Sequence, residues 1–169
     1  MKRCLILMLL FAAAPAFGAD ATVQWARRIE LGLGVSGVIK TVSAEAGARV
    51  LKGQVLVALD ETPFKAVFDK ARTERDEAAR DYKQAKELYD RTVLAKVELE
   101  NAQNKSVRAQ ARFDEAKYQL ERSRIAAPFE AWVLEMRAQA GQSVVNALES
   151  RPLVVVAAAG EYLARLRVP

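Results

Sequence analysis

The chain has 169 residues, of which 51% are hydrophobic and 28% charged, with a formal net charge of +5 at neutral pH. This length and composition predict a folded chain of one modest domain, or of one small domain carrying an extended insertion. The spread of charge along the chain favours a soluble surface over a nucleic-acid-binding one. There is no histidine and only one cysteine, Cys4, which excludes histidine metal sites, imidazole acid–base chemistry and the common catalytic triads.

Residues 1–18 are predicted to be a cleavable secretory signal. Two cations precede an apolar run of roughly ten residues, which is shorter than the 20 or so that a membrane span requires. The small residues of Ala16-Phe17-Gly18 then suit a signal peptidase, so cleavage is expected after Gly18. Cys4 would leave with this segment, and the mature chain could form no disulfide. A buried N-terminal helix is the alternative interpretation.

The segment 19–62 is predicted to form the first half of a small β-domain. Its residues 36–47, SGVIKTVSAEAG, place an apolar pair after a small residue and close on Ala-Gly, which is typical of a strand that ends in a turn. The apolar stretch VLVALD at 55–60 predicts a second strand. Pro63 then suits the first turn of a helix, with Asp60 or Thr62 available as its cap.

The middle of the chain, residues 63–124, is predicted to be an antiparallel coiled-coil hairpin. No Gly or Pro occurs between Phe64 and Ser123. One heptad frame contains Leu99, Ala102, Ser106, Ala109, Phe113, Ala116 and Leu120; the other contains Phe64, Ala71, Ala78 and Ala85 beside Phe68, Tyr82 and Tyr89, with Arg75 interrupting. Because the frames do not join across 91–96, the expected helices are about 63–91 and 96–123, each roughly 42 Å long. An ordinary helix pair packed on a globular body is the alternative, but charged residues cover the other faces.

Residues 125–160 are predicted to form the second half of the β-domain because they resemble the first. The sequence EAWVLEMRAQAG at 130–141 repeats the earlier pattern, and the spacing from Ala131 to Gly141 equals that from Gly37 to Gly47. The stretch LVVVAAA at 153–159 follows as a second strand. The expected fold class is therefore α+β: a small β-sandwich interrupted by an antiparallel coiled-coil helical hairpin. A chance similarity of two short β-hairpins is the alternative.

These half-motifs resemble the biotinyl/lipoyl-like domain of the periplasmic adaptor, or membrane fusion protein, family, which includes hemolysin secretion D-like and RND-type efflux adaptors. The first half carries Gly47-x-x-Val50-x-x-Gly53-Gln54-x-Leu56-x-x-Leu59-Asp60, and the second carries Ala127-Pro128-Phe129-Glu130-Ala131-Trp132-Val133 followed by Gly141-Gln142. In that family a helical hairpin separates the two halves, as it does here. The resemblance covers about residues 35–169.

The resemblance implies a periplasmic subunit that bridges an inner-membrane transporter and an outer-membrane channel, or a second adaptor layer. Such a subunit acts within a homo-oligomer in the cell envelope, without enzymatic activity, cofactor or nucleic acid. The expected partner-binding residues are those of the hairpin tip: Arg91, Thr92, Val93, Leu94, Ala95 and Lys96. Residues 161–169 would begin a further strand that leads into a β-barrel domain.

Two positions depart from the family pattern. Glu130-Ala131 stands where Asp-Gly is usual, and alanine resists the positive φ that glycine would allow in a turn. Arg91 is followed by Ala95 and Ala102 at the offsets where adaptors of trimeric channels carry Leu and Ser, and Leu94 lies one place early. The usual tip contact with that channel class is therefore not expected.

Two functions from other classes remain open. A swinging-arm lipoyl or biotinyl carrier needs its modified lysine in the turn that joins the halves. Here Glu61-Thr62 is followed by Pro63-Phe64, and Asp69-Lys70-Ala71 lies inside the predicted helix. A free-standing periplasmic scaffold that joins no exporter is the other alternative.

Overall fold

The computed structural model describes residues 20–145 and 151–167, and its strands follow the β-rich stretches of the sequence. The strands are β1 (Asp20–Trp25), β2 (Arg28–Leu31), β3 (Gly37–Val42), β4 (Arg49–Val50), β5 (Val55–Leu59), β6 (Arg124–Ala126), β7 (Ala131–Met136), β8 (Ser143–Val144), β9 (Val154–Ala158) and β10 (Tyr162–Arg167). The helices are α1 (Thr62–Asp90) and α2 (Lys96–Arg122). The predicted secretory signal, residues 1–18, lies outside the described residues.

The β-domain consists of two four-stranded antiparallel sheets, with strand orders β2-β9-β7-β4 and β6-β5-β3-β8. Each sheet therefore takes strands from both halves of the chain. Exchanging β2, β3, β4 and β5 for β6, β7, β8 and β9 converts one strand order into the other. The two halves are thus related by a pseudo-two-fold rotation.

The strand register repeats in the same way. Val38 pairs with Ser143 in one sheet, and the equivalent Trp132 pairs with Arg49 in the other. The two central strand pairs also share a register shift at equivalent places, one between residues 39 and 41 and one between residues 133 and 135. The repeat seen in the sequence is therefore a structural repeat and not a chance similarity.

Gly47 and Gly141 close the two half-motifs at equivalent turns, with φ of 86° and 85°. The Gly47 N–H donates to the carbonyl of Val133 at 2.7 Å, and the Gly141 N–H donates to the carbonyl of Ile39 at 2.8 Å. Each half is therefore tied to the other by the same hydrogen bond. A residue with a side chain would be strained at this φ.

Ala131 fits its site without the strain that its departure from the family pattern suggested. It lies fully buried in β7, where it pairs with Val50 and Ala158, and its φ is not positive. At the equivalent Gly37, an added Cβ would lie 3.0 Å from Cδ1 of Leu59. The close approach that favours glycine therefore occurs in the first half-motif, while the second has room for a methyl group.

The core lies between the two sheets and is most complete at β5 and β9, which are equivalent inner strands of the two sheets. All five residues of β9 are buried, although alternate side chains of a strand point to opposite faces. Val155 and Ala157 alternate with the core residues, and their neighbours on adjacent strands are Glu135 and Arg28. These two charged side chains form an ion pair of 3.2 Å. Glu30 also pairs with Val155, and Trp132 with Ala157, so side chains from both neighbouring strands cover the outward side of β9.

Strands β1 and β10 form a separate two-stranded antiparallel sheet, here called the ribbon. Trp25 stacks on Tyr162 across it, with ring centres 4.9 Å apart. The sequence predicts that residues 19–62 belong to the first half of the β-domain and that residues 161–169 begin a further strand, but it does not predict that β1 and β10 pair. Because β1 precedes β2 and β10 follows β9, the ribbon takes the place that the helical hairpin occupies between β5 and β6 under the pseudo-two-fold. The β-domain thus carries two extensions at equivalent positions.

The two helices form an antiparallel pair between β5 and β6. Their bounds agree with the predicted 63–91 and 96–123 to within one residue at each end. With 29 and 27 residues, they are about 43 and 40 Å long. None of the helices in the described residues has the length and apolar character needed to cross a membrane. The expected α+β class, a β-sandwich interrupted by a helical hairpin, is confirmed, while the division into 19–62, 63–124, 125–160 and 161–169 stays a prediction.

Candidate partner-docking site

The hairpin is anchored to the β-domain at the roots of both helices. The carboxylate of Asp60 accepts hydrogen bonds from the hydroxyl of Thr62 at 2.8 Å, from its N–H at 3.2 Å and from Nζ of Lys40 at 3.3 Å. These donors, the Thr62 hydroxyl first, lower the pKa of Asp60 because they stabilise its charged form. The N-cap residue itself is Glu61, so neither Asp60 nor Thr62 takes the capping position that the sequence suggested.

At the other root, Ser123 holds the end of α2. Its hydroxyl donates to the carbonyl of Leu120 at 2.7 Å, and its own carbonyl accepts from the N–H of Leu59 at 2.9 Å. Ser123 is fully buried, and both of these polar groups are satisfied. Residues 59 and 60, at the end of β5, therefore fix both legs of the hairpin to the sandwich.

The predicted heptad residues form the interface between α1 and α2. Those of α2 are all buried or half-buried: Leu99, Ala102, Ser106, Ala109, Phe113, Ala116 and Leu120. Those of α1 behave in the same way except Tyr89, which is 39% exposed near the tip. The coiled-coil seam predicted from the spacing is confirmed. Ala102 is half-buried in this seam.

Arg75, which interrupts the seam in the sequence, is part of it in the structure. Its guanidinium carbon lies 4.1 Å from the centre of the Phe113 ring, which in turn packs 5.3 Å from the ring of Phe68. Its Nε and Nη2 donate to the carboxylate of Asp76 at 2.9 and 2.6 Å. A stacked guanidinium contributes about 0.5–2 kcal/mol. Heptad analysis missed this residue because it counts any charged side chain as a break.

Ion pairs join α1 to α2 along the hairpin. Lys105 donates to Asp81 at 2.8 Å, and Arg112 lies 3.8 Å from Glu74. The hydrogen bond with Asp81 is the main reason why the pKa of Lys105 is raised. These side chains are about half exposed, so each pair adds little to stability. Their effect is to favour one register of α1 against α2.

Helix α1 ends at the tip in a Schellman motif. The N–H of Thr92 donates to the carbonyl of Tyr89 at 2.8 Å, and the N–H of Val93 donates to the carbonyl of Leu88 at 2.9 Å. This pair of bonds requires a left-handed residue directly after the C-cap, a position that is usually glycine. Here the C-cap is Arg91 and the left-handed residue is Thr92, with φ of 63°.

The N-cap of α2 lies four residues after Arg91, the C-cap of α1. This N-cap is Ala95, whose side chain has no hydrogen-bond acceptor. The carboxylate of Glu98 instead accepts from the N–H of Ala95 at 3.3 Å, and its charge is favourable in the first turn. Lys96 lies 3.6 Å from Glu100. The turn is thus defined by local bonds from both helices.

The structure brings the predicted tip residues together on one exposed surface. Of Arg91, Thr92, Val93, Leu94, Ala95 and Lys96, all are exposed except Leu94, which is half-buried. Val93 is 72% exposed, and the neighbouring Val97 is 60% exposed. Val97 was missed by the sequence prediction, although an apolar residue outside the heptad seam was a usable signal. The tip thus combines exposed valines with two cations, and its role in partner binding stays a prediction.

The β-domain and its helical hairpin resemble known proteins in both sequence and structure. Residues 29–157 match the family described as CzcB-like, barrel-sandwich hybrid domain. The macrolide export protein MacA of Escherichia coli O157:H7 and that of Shigella flexneri are each 27% identical to the chain over an alignment of 170 positions, which covers 84% of this chain and 46% of theirs. The chain therefore spans about half the length of the curated relatives it matches.

Solved structures share the fold. A putative efflux transporter from Bacteroides eggerthii has a TM-score of 0.77 at 19% identity, covering 94% of this chain and 52% of its own. A MacA-MexA chimeric protein, which contains the Pseudomonas aeruginosa MexA alpha-hairpin domain, has a TM-score of 0.77 at 21% identity, covering 83% and 49%. At these identities the likeness shows the fold alone.

Proposed function

Because this chain belongs to the membrane fusion protein family through its CzcB-like barrel-sandwich hybrid domain, we propose that it is a periplasmic adaptor of an efflux or secretion system. In this role it bridges an inner-membrane transporter and an outer-membrane channel, or a second adaptor layer, and acts in the envelope as a homo-oligomer. It is a structural component without enzymatic activity. The hairpin tip makes the distal contact of the bridge.

The observation that carries this proposal is the separation of the tip from the β-domain. The helices pack on each other along their length, and the contacts of the hairpin with the β-domain are concentrated near its root at β6. At 27 residues, α2 places the tip about 40 Å from that root. The exposed Val93 and Val97 therefore stand far from the core of their own chain. An exposed apolar surface at the end of a long helical hairpin favours a contact with another protein.

The names of similar proteins support export as the process. The curated relatives are named for macrolide export, and one similar structure is titled as an efflux transporter. Those names describe whole proteins about twice the length of the matched region. We therefore propose efflux in general and assign neither a transporter class nor a substrate.

Reversing the tip charges tests the bridge. The double variant Arg91→Glu, Lys96→Glu is expected to fold normally, since both side chains are exposed and substitutions at such sites change stability by about 0.5 kcal/mol or less. It should nevertheless lose export activity by roughly tenfold, because the cations no longer match the partner surface. Activity is measured by complementation of a deletion strain on a panel of toxicants that includes macrolides. Lys86→Glu, an exposed reversal lower on α1, is the matched control.

Crosslinking identifies what the tip contacts. A photo-crosslinker at Leu94 should capture an outer-membrane channel or another adaptor in intact cells, while the same group at Lys86 should not. If the charge-reversed tip keeps full activity and the Leu94 probe captures nothing, bridging is wrong. That outcome would support a free-standing periplasmic scaffold instead.

The carrier alternative makes an opposite prediction about two lysines. Lys65 and Lys70 lie on α1, where they pair with Glu61 at 2.8 Å and with Glu74 at 3.9 Å, whereas a carrier presents its lysine in a turn between strands. We expect neither lysine to carry a lipoyl or biotinyl group. Intact-mass measurement of the protein from its source cell checks this, and a mass increase equal to either cofactor would restore the carrier hypothesis.

A further inference from the structure

Thr92 has a backbone conformation that its side chain disfavours. Five described residues have positive φ, and the other four are glycines. Thr92 has φ of 63°, in the left-handed region. A β-branched residue is an outlier there because its Cβ substituents crowd the backbone. Such strain persists only where the surrounding structure imposes it, and it is concentrated at functional sites.

Nothing within the described part of the chain accounts for a threonine at this position. The Schellman bonds from the N–H groups of Thr92 and Val93 require the left-handed φ, which glycine supplies with less strain. The Thr92 side chain is exposed, and its hydroxyl makes no hydrogen bond among the described residues. The threonine therefore adds strain to the cap without an internal contact in return.

Val93 shows the same outward arrangement. The residue after the left-handed position of a Schellman motif commonly packs back against the last helical turn. Val93 occupies that position and is instead 72% exposed. Two adjacent side chains, one hydroxyl-bearing and one apolar, thus project from a turn whose backbone is held by hydrogen bonds.

We propose that Thr92 and Val93 form a preshaped docking knob for a protein surface, with an apolar recess for Val93 beside a group that hydrogen-bonds the Thr92 hydroxyl. The proposal rests on the bridging function above and assigns its specificity to these two residues. Arg91 and Lys96, exposed on either side, indicate an acidic rim around the recess. A fixed backbone geometry matters against a protein of fixed shape, whereas a fluid anionic lipid surface would accept the valines and cations in many arrangements.

Stability measurements test the strain. Thr92→Gly is expected to raise the melting temperature of the helical signal by roughly 2–4 °C, because it relieves the left-handed strain. The matched reverse change is Gly53→Thr, since Gly53 has φ of 82° and an added Cβ there would meet no atom within 4 Å. Because Gly53 lies between β4 and β5, this change should lower the melting temperature of the β-domain by a similar amount. If Thr92→Gly gives no increase, the strain is absent and the proposal is wrong.

Capture measurements test the contact. The full chain is immobilised and exposed to outer-membrane fragments opened by sonication, which present their periplasmic face, and the half-saturating fragment concentration is measured. Thr92→Gly should bind at least tenfold more weakly although it is more stable, and Thr92→Ser should bind nearly as the unchanged protein does. Thr73→Ala is the control, because Thr73 lies on α1 away from the tip and donates its hydroxyl to the carbonyl of Asp69 at 3.0 Å.

The outcomes separate the knob from the bridge. Equal capture of the unchanged protein and Thr92→Gly overturns the knob and leaves the bridging function standing. Failure to capture the unchanged protein overturns the bridge to an outer-membrane channel, and the knob with it. Equal capture by liposomes made from the extracted lipids assigns the tip to a lipid surface and also overturns the knob.

Discussion

Phe113→Lys is expected to unfold the helical hairpin while the β-domain stays folded. Phe113 is half-buried in the seam, against the ring of Phe68 and under the guanidinium of Arg75. Lysine removes the aromatic packing and places a second cation beside Arg75. The free energy of unfolding of the hairpin should fall by about 3 kcal/mol. This decrease is large for a seam whose other layers are mostly alanine and bury little apolar area.

Circular dichroism and tryptophan fluorescence report the two parts separately. The helical signal should fall and melt at lower temperature, while the fluorescence of Trp132 in β7 should keep its native spectrum. Phe113→Glu should be less damaging than Phe113→Lys, because a carboxylate can pair with Arg75. Val107→Lys, at a helix position that is 62% exposed, serves as the control and should change little. Equal loss in the two Phe113 variants would contradict the placement of Arg75 in the seam.

Val156→Asp is expected to abolish folding of the whole described chain. Val156 is fully buried at the centre of one sheet, where it pairs with Ile29 on one side and Val133 on the other. A carboxylate there has no partner, and an uncompensated buried charge costs about 3–5 kcal/mol or more. The hairpin should unfold too, because its seam is thin and its roots depend on β5 and β6 for anchoring.

The comparison of these two variants shows how the parts depend on each other. In Val156→Asp both the helical and the fluorescence signals should be lost, and Val38→Asp, at a site on β3 that is 49% exposed, should retain both. A helical signal that survives in Val156→Asp with native melting would show that the hairpin folds independently of the sandwich. We expect the β-domain to stay folded without the hairpin, and the hairpin to unfold without the β-domain. The second of these expectations would then be wrong.

The helical hairpin and the internal repeat could be predicted from the sequence because both are recorded in local patterns. A heptad series requires only that residues seven apart lie on the same side of one helix, so Leu99, Phe113 and Leu120 identified the seam without knowledge of the fold. The matching positions of Gly47 and Gly141 likewise revealed two equivalent turns. The fold class and the location of the tip followed from these patterns.

Other features depend on which segments meet in space, and local patterns do not record this. A strand pattern states that a segment pairs, but not its partner, so the exchange of strands between the two sheets and the ribbon of β1 with β10 emerged with the folded chain. Arg75 belongs to the seam because Phe113 of the other helix offers its ring face. Thr92 is strained because the bonds that end α1 impose a left-handed backbone on it. In each case the determining contact or hydrogen bond comes from outside the residue's own pattern.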